Sequence, residues 1–153
     1  MTTEKDIFDV LSALLTPTIA LVAVGVGLMQ WQLNRARLKH ELFDRRYDQY
    51  KAAIDFLHSI SREGRPTSQA QIEYQFGTSG VGFLFSNEIE VYLHERVWCV
   101  AIDLECAQSQ YEGATVGEDR SKYIREAGEL KKQLYAEQKE IKNQFSRYLQ
   151  LRH

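Results

Sequence analysis

The stretch that decides the fold is LSALLTPTIALVAVGVGLMQW, residues 11–31, which contains no charged side chain. At 1.5 Å per residue, a helix of this length covers about 30 Å, the thickness of the hydrocarbon core of a bilayer. The chain starts with acidic residues, whereas a secretory signal peptide starts with basic ones. A buried core helix is the alternative, but it would be unusual for it to be apolar on every face. We therefore predict an uncleaved transmembrane helix, within a membrane segment of residues 1–33.

The dipeptide Thr16-Pro17 leaves two arrangements of this segment open. Proline is common at the first position of a helix after a threonine cap, so residues 5–15 could form a separate turn at the interface. Alternatively, Pro17 kinks one continuous helix. We favour the single helix.

Positive charge follows the apolar run directly. Residues 34–65 carry eight Lys or Arg against five Asp or Glu, whereas Lys5 is the one basic residue before the run. Because basic flanks remain on the cytoplasmic side, we expect a cytoplasmic C-terminal domain and a periplasmic N-terminus. Arg35, Arg37 and Lys39 are sufficiently explained by this topology and by contact with anionic lipid.

Residues 34–153 are predicted to form a cytosolic domain of amphipathic helices. Apolar residues recur every three or four positions, with charged residues between them, and no segment shows the alternation of a strand. Short loops between long helices favour an antiparallel bundle, so the fold class is all-α. The helices are expected from Asn34 to about Arg62, from Thr67 or Ser68 to Phe76, from Ser86 to about Glu112, and from Glu118 to Leu151.

Nothing in the sequence has the pattern of a catalytic centre, and we expect no enzymatic activity, metal or cofactor. The four histidines are isolated, and His94-Glu95 is followed by Trp98 where a HExxH zinc motif needs histidine. The glycine-rich run GTSGVG, residues 77–82, lacks the Lys-Ser/Thr of a phosphate-binding loop, so we interpret it as a turn. Cys99 and Cys106 are too far apart on one helix for a disulfide and are predicted to be small core residues.

The sequence offers more support for a ligand-binding site than for a catalytic centre, because cations and aromatic rings occur together in the first half of the domain. Cations pair with phosphates, and aromatic rings stack on bases. Arg46 is the most informative, because it borders the apolar face of its helix, where an unpaired guanidinium would be costly. The candidate ligand-binding residues are Arg45, Arg46, Lys51, Arg62, Arg65, Tyr74 and Tyr92.

The run LLTPTIALVAVGVGLMQWQLNRARLKHELFDRRYDQY resembles a group of small bacterial membrane proteins. They share an LLTP-type span, a Gln-Trp or Gln-Tyr exit and an LFDRR-x-x-Y juxtamembrane helix. The similarity continues through FLFSNEIEVYL, residues 83–93, to FSRYLQL, residues 145–151. In its architecture, an N-terminal span followed by a small cytosolic helical domain, the chain resembles the ancillary membrane effectors of type III CRISPR systems.

This resemblance implies an antiviral effector in the bacterial inner membrane. Its cytosolic domain would bind a cyclic oligoadenylate and alter the membrane through its transmembrane helices. A cyclic ligand of four-fold symmetry would suit a homo-oligomer, and we favour a tetramer. We expect no long nucleic acid as a partner. The alternative is a membrane-tethered interaction or scaffold module with no nucleotide ligand.

Overall fold

In a computed structural model of the protein, the backbone is described for residues 3–150 and the side chains for residues 17–150. Every element in this part of the chain is helical, which confirms the all-α fold class. The elements are α1 (Thr3–Glu63), α2 (Ser68–Thr78), α3 (Val81–Leu84), α4 (Asn87–Val91), a π-helix (Tyr92–Cys99), α5 (Val100–Gly113) and α6 (Glu118–Ser146).

The chain divides into two compact units, Met1–Glu41 and Leu42–His153. In the first unit, α1 runs from Thr3 through Pro17 as one helix, so residues 5–15 belong to it and do not form a separate turn. Its described apolar side chains are exposed on all sides, from Ile19 (60% exposed) and Leu21 (75%) to Trp31 (60%) and Leu33 (54%). The start of the predicted span, residues 11–16, lies outside the described side chains.

Among the residues that the structure describes, no helix has the length and apolar character required to cross a membrane.

The second unit is built around one apolar core. The last turns of α1 contribute Phe56, Leu57 and Ile60, and α6 contributes Ile141 and Phe145, all nearly inaccessible to solvent. The middle part of the chain adds twelve more buried residues between the start of α2 and the end of α5: Ala70, Tyr74, Val81, Phe85, Ile89, Tyr92, Leu93, Val97, Val100, Ala101, Leu104 and Ala107.

Side-chain contacts show that neighbouring helices are antiparallel. On α6, Gln138 donates to the carbonyl of Leu57 on α1 (3.0 Å), whereas seven residues later the ring of Phe145 lies 5.5 Å from that of Tyr50. Residue numbers therefore rise along α6 as they fall along α1. Helix α2 is also antiparallel to α1, because Tyr74 lies beside Phe56 and Gly77 lies close to Ala52. It is antiparallel to the segment from the π-helix to α5 as well, because Tyr74 stacks on Trp98 and Gln71 donates to Glu105.

Local signals in the sequence account for the ends of the first two helices. Gly64 has φ +73°, a conformation that side chains disfavour, and its N–H donates to the carbonyl of Ile60. After Pro66, the hydroxyl of Thr67 accepts a hydrogen bond from the N–H of Ala70 and caps α2.

Three predictions from the sequence are wrong in detail. The single helix expected from Ser86 to Glu112 is divided into α4, the π-helix and α5. Helix α6 ends at Ser146, because Tyr148 and Leu149 instead donate their N–H groups to the carbonyl of Phe145 in a turn. Cys106 is exposed and Cys99 half-buried, so neither is a core residue.

Candidate functional site

Four of the predicted ligand-binding cations lie on the surface, and three of them are spread along α1. Arg45, Lys51 and Arg62 are exposed on α1, where 17 residues of helix correspond to about 25 Å. Arg62 donates to Glu63 at 3.0 Å, and Arg65 lies 3.8 Å from the carboxylate of Glu112. A single copy of the domain does not bring these cations together into one cradle.

Arg46 is engaged within the protein itself. Its Nε donates to the carbonyl of Leu84 at 3.0 Å, and its Nη1 lies 3.5 Å from the carbonyl of Tyr148. The guanidinium carbon lies 5.8 Å from the ring centre of Phe85 and 5.7 Å from that of Tyr148. Backbone carbonyls and aromatic faces thus take the place of the carboxylate or ligand that the sequence led us to expect.

Tyr74 and Tyr92 are core residues, 4% and 8% exposed. Tyr74 donates its hydroxyl to the carbonyl of Leu93 at 2.9 Å, and Tyr92 donates to Glu137 at 2.8 Å. Burial raises the pKa of both phenols, assisted at Tyr92 by the hydrogen bond to the carboxylate of Glu137. Their rings serve packing between helices, although Tyr74 also reaches the wall of a groove.

This groove, with a volume of about 500 Å³, lies between α2, α3, α4 and the π-helix. One wall is aromatic, because Tyr74 and Trp98 stack with ring centres 5.7 Å apart and planes only 2° from parallel. The polar groups are Asn87, Glu90, His94 and Glu95 among others, and the residues lining the groove include no lysine or arginine.

The carboxylate of Glu90 lies close to the backbone of Gly82. A β-carbon added at Gly82 would lie 2.9 Å from Oε2 of Glu90, a distance that real side chains essentially never adopt. Glycine at this position therefore leaves room for the carboxylate. Because this oxygen is the end of a flexible, exposed side chain, an alanine at position 82 would require that carboxylate to shift.

The π-helix forms another side of the groove. Its hydrogen bonds span five residues rather than four. Wide turns of this kind are rare in proteins, and those that occur are often found at functional sites. The Sγ of Cys99 lies 3.8 Å from Nε2 of His94, five positions earlier. In an α-helix two such residues point about 140° apart, so the contact reflects the wider turn.

A buried carboxylate fixes the π-helix against α6. Glu137, which interrupts the apolar stripe of α6 in the sequence, is 1% exposed. It accepts hydrogen bonds from Arg96 at 2.7 and 3.0 Å and from Tyr92. Burying a charge requires such partners, and both come from the π-helix. The sequence did not indicate this network, because its members are 41 and 45 residues apart.

The described residues contain no group of three His, Cys, Asp or Glu side chains that could hold a metal ion. Comparison of the chain with models of protein families, with curated proteins and with solved structures finds no match in any of the three.

Proposed function

We propose that this chain is a non-enzymatic effector anchored in the bacterial inner membrane by one N-terminal transmembrane helix. Its helical domain lies in the cytoplasm and binds a regulatory ligand. The observation that carries the anchor is the exposure of apolar side chains around α1, such as Leu21, Val24 and Trp31, next to the uncharged residues 11–16. An apolar surface of this extent is stable when lipid or another helix covers it.

The anchor is tested by expressing the chain in bacteria and extracting the membranes with alkaline carbonate. The wild-type chain is expected to remain in the pellet, and a C-terminal green fluorescent protein is expected to fluoresce. Because a charge near the centre of a span is costly, the variant Leu21→Arg/Val24→Arg should be released. The matched control Leu38→Arg, at an exposed apolar residue beyond the predicted span, should stay bound. Release of the wild-type chain by carbonate would contradict the proposal.

The ligand that the resemblance implies is a cyclic oligoadenylate. The exposed cations Arg45, Lys51, Arg62 and Arg65 are suited to pair with its phosphates. Since Arg45, Lys51 and Arg62 are spread along about 25 Å of α1, one ring would contact equivalent cations of several copies. A homo-tetramer fits a four-fold ring. Binding would then favour one arrangement of the copies and act on the membrane through their spans.

Calorimetric titration of the full chain in lipid nanodiscs against cyclic tri-, tetra- and hexa-adenylate tests this ligand. Lys51→Ala/Arg62→Ala should weaken binding at least about tenfold, as expected for lost phosphate contacts. Lys132→Ala/Lys139→Ala removes the same charge from α6 and should leave affinity unchanged. The absence of heat with every ring would exclude the cyclic oligoadenylate but not the anchor.

A membrane-tethered interaction module is the second candidate, and exposed apolar residues of α2 to α4 favour it. Phe83 is 92% exposed, Phe76 78% and Ile72 50%, which is uncommon for large apolar side chains. A photo-crosslinking residue at Phe76 or Phe83 should capture a defined protein in cells, whereas one at the exposed Gln133 should not. Equal labelling at all three positions would count against this candidate.

A further inference from the structure

The charged side chains at the rim of the groove beside the π-helix are acidic, whereas a phosphate-binding site is lined by basic ones. The rim of the groove carries the carboxylates of Glu90 and Glu95, and its lining contains the imidazole of His94 but no lysine or arginine. Within the described part of the chain, neither carboxylate has an ion-pair partner. An anion would meet repulsion here, whereas a cation would find two charges available to it.

The aromatic wall adds a second element of cation recognition. Trp98 is half-buried and stacked on Tyr74, whose hydroxyl is fixed by the carbonyl of Leu93. The indole face is therefore held in place before any ligand arrives. Cations bind favourably over the faces of tryptophan and tyrosine, and alkyl chains pack against aliphatic side chains such as those of Val81 and Leu93.

The size of the groove also suits a small molecule, because ligand pockets generally enclose about 300–1,000 Å³. Gly82 contributes by letting the carboxylate of Glu90 lie against the backbone of α3. Two carboxylates and a preformed aromatic face around a space of this size match an alkyl ammonium ion with more than one amine.

We propose that the groove between α2, α4 and the π-helix is a binding site for alkyl ammonium groups, held between Glu90 and Glu95 against Trp98. The ammonium could belong to a free oligoamine or to a lysine side chain. This site is independent of the membrane anchor and of any anionic ligand at the cations of α1.

The test is calorimetric titration of the full chain in non-ionic detergent with spermidine and with lysine amide. Spermidine is expected to bind with a dissociation constant below about 1 mM, and Glu90→Gln/Glu95→Gln should weaken it at least about tenfold. Glu126→Gln/Glu129→Gln on α6 removes the same charge elsewhere and should leave the affinity unchanged. Gly82→Ala keeps both charges but displaces Glu90, and should also weaken binding.

The two probes distinguish the sources of the ammonium group. Tighter binding of spermidine indicates a free oligoamine, and tighter binding of lysine amide indicates a peptide side chain. No binding of either probe would overturn the site. So would an equal loss of affinity in the α6 control pair, because attraction would then depend on net charge alone. Thermal melting of each variant by circular dichroism verifies that it is folded.

Discussion

Arg96 of the π-helix donates two hydrogen bonds to the buried carboxylate of Glu137 on α6, at 2.7 and 3.0 Å. The arginine is more than half exposed and the glutamate almost fully buried, so the pair connects the surface to the core. Both donors bind the same oxygen, Oε1, and the contact joins the π-helix, which forms one side of the groove, to α6.

The variant Glu137→Ala should lower the free energy of unfolding by about 2–4 kcal/mol, because it removes a packed side chain and leaves the buried hydroxyl of Tyr92 without its acceptor. Urea denaturation measures the loss. Glu126→Ala, at an exposed glutamate of the same helix, should change stability by less than about 0.5 kcal/mol. Equal effects of the two variants would show that the network does not stabilise the fold.

Replacement of Arg46 should destabilise the domain, since Arg46→Ala leaves the carbonyl of Leu84 without its donor and removes the contacts with Phe85 and Tyr148. We expect a loss of about 1–3 kcal/mol in chemical denaturation. Arg46→Lys should recover only part of it, because lysine lacks the planar fork. Lys51→Ala, at an exposed cation of the same helix, serves as the control.

Gly77 allows α2 to approach α1, and its replacement tests that packing. A β-carbon at Gly77 would overlap the side chain of Ala52, so Gly77→Ala should cost about 1–3 kcal/mol. Gly128 has no atom near the corresponding position on α6, so Gly128→Ala should stabilise the chain by about 0.5–1 kcal/mol. Thermal melting of the two variants should therefore shift in opposite directions, and shifts of the same sign would contradict this account.

Alkaline pH should weaken the fold through Tyr74 and Tyr92. Burial raises the pKa of both phenols, so the folded state favours their neutral forms. The stability that the two neutral phenols contribute to the folded state is fully present below about pH 10, the ordinary pKa of tyrosine. It is lost as the pH rises above that value. The loss is at most about 1.4 kcal/mol per pH unit for each group.

Denaturation curves between pH 8 and 11 measure this effect. The double variant Tyr74→Phe/Tyr92→Phe should show a shallower decline than the wild-type chain. Tyr47→Phe/Tyr135→Phe alters two tyrosines that are about half exposed and should decline as the wild-type chain does. If the wild-type and Tyr74→Phe/Tyr92→Phe chains decline in parallel, other groups cause the alkaline loss.

The sequence predicted the helices well, because apolar residues spaced by three or four mark the buried face of each one. It also identified Arg46 as a residue that needed partners. The identity of those partners depended on Leu84 and Tyr148, which are brought close only by the packing of three distant segments. Periodicity therefore predicts that a side chain faces the core but not what it meets there.

The groove could not be predicted for a related reason. A π-turn has nearly the same pattern of apolar residues as an α-turn. The sequence from Tyr92 to Cys99 therefore predicts an α-helix. The stacking of Trp98 on Tyr74 joins residues 24 positions apart on different helices. Long-range pairs of this kind follow from the tertiary structure alone, as does the exposed rim that Glu90 and Glu95 form.

The placement of the two tryptophans gives the protein a built-in optical probe for each of its proposed sites. Trp98 stacks in the groove and Trp31 is exposed near the end of the apolar stretch. With Trp31→Phe, the remaining indole emission reports on occupancy of the groove; with Trp98→Phe, quenching by brominated lipids reports on the depth of α1. One chain can thus reveal by its own fluorescence whether membrane insertion and ligand capture are coupled or occur separately.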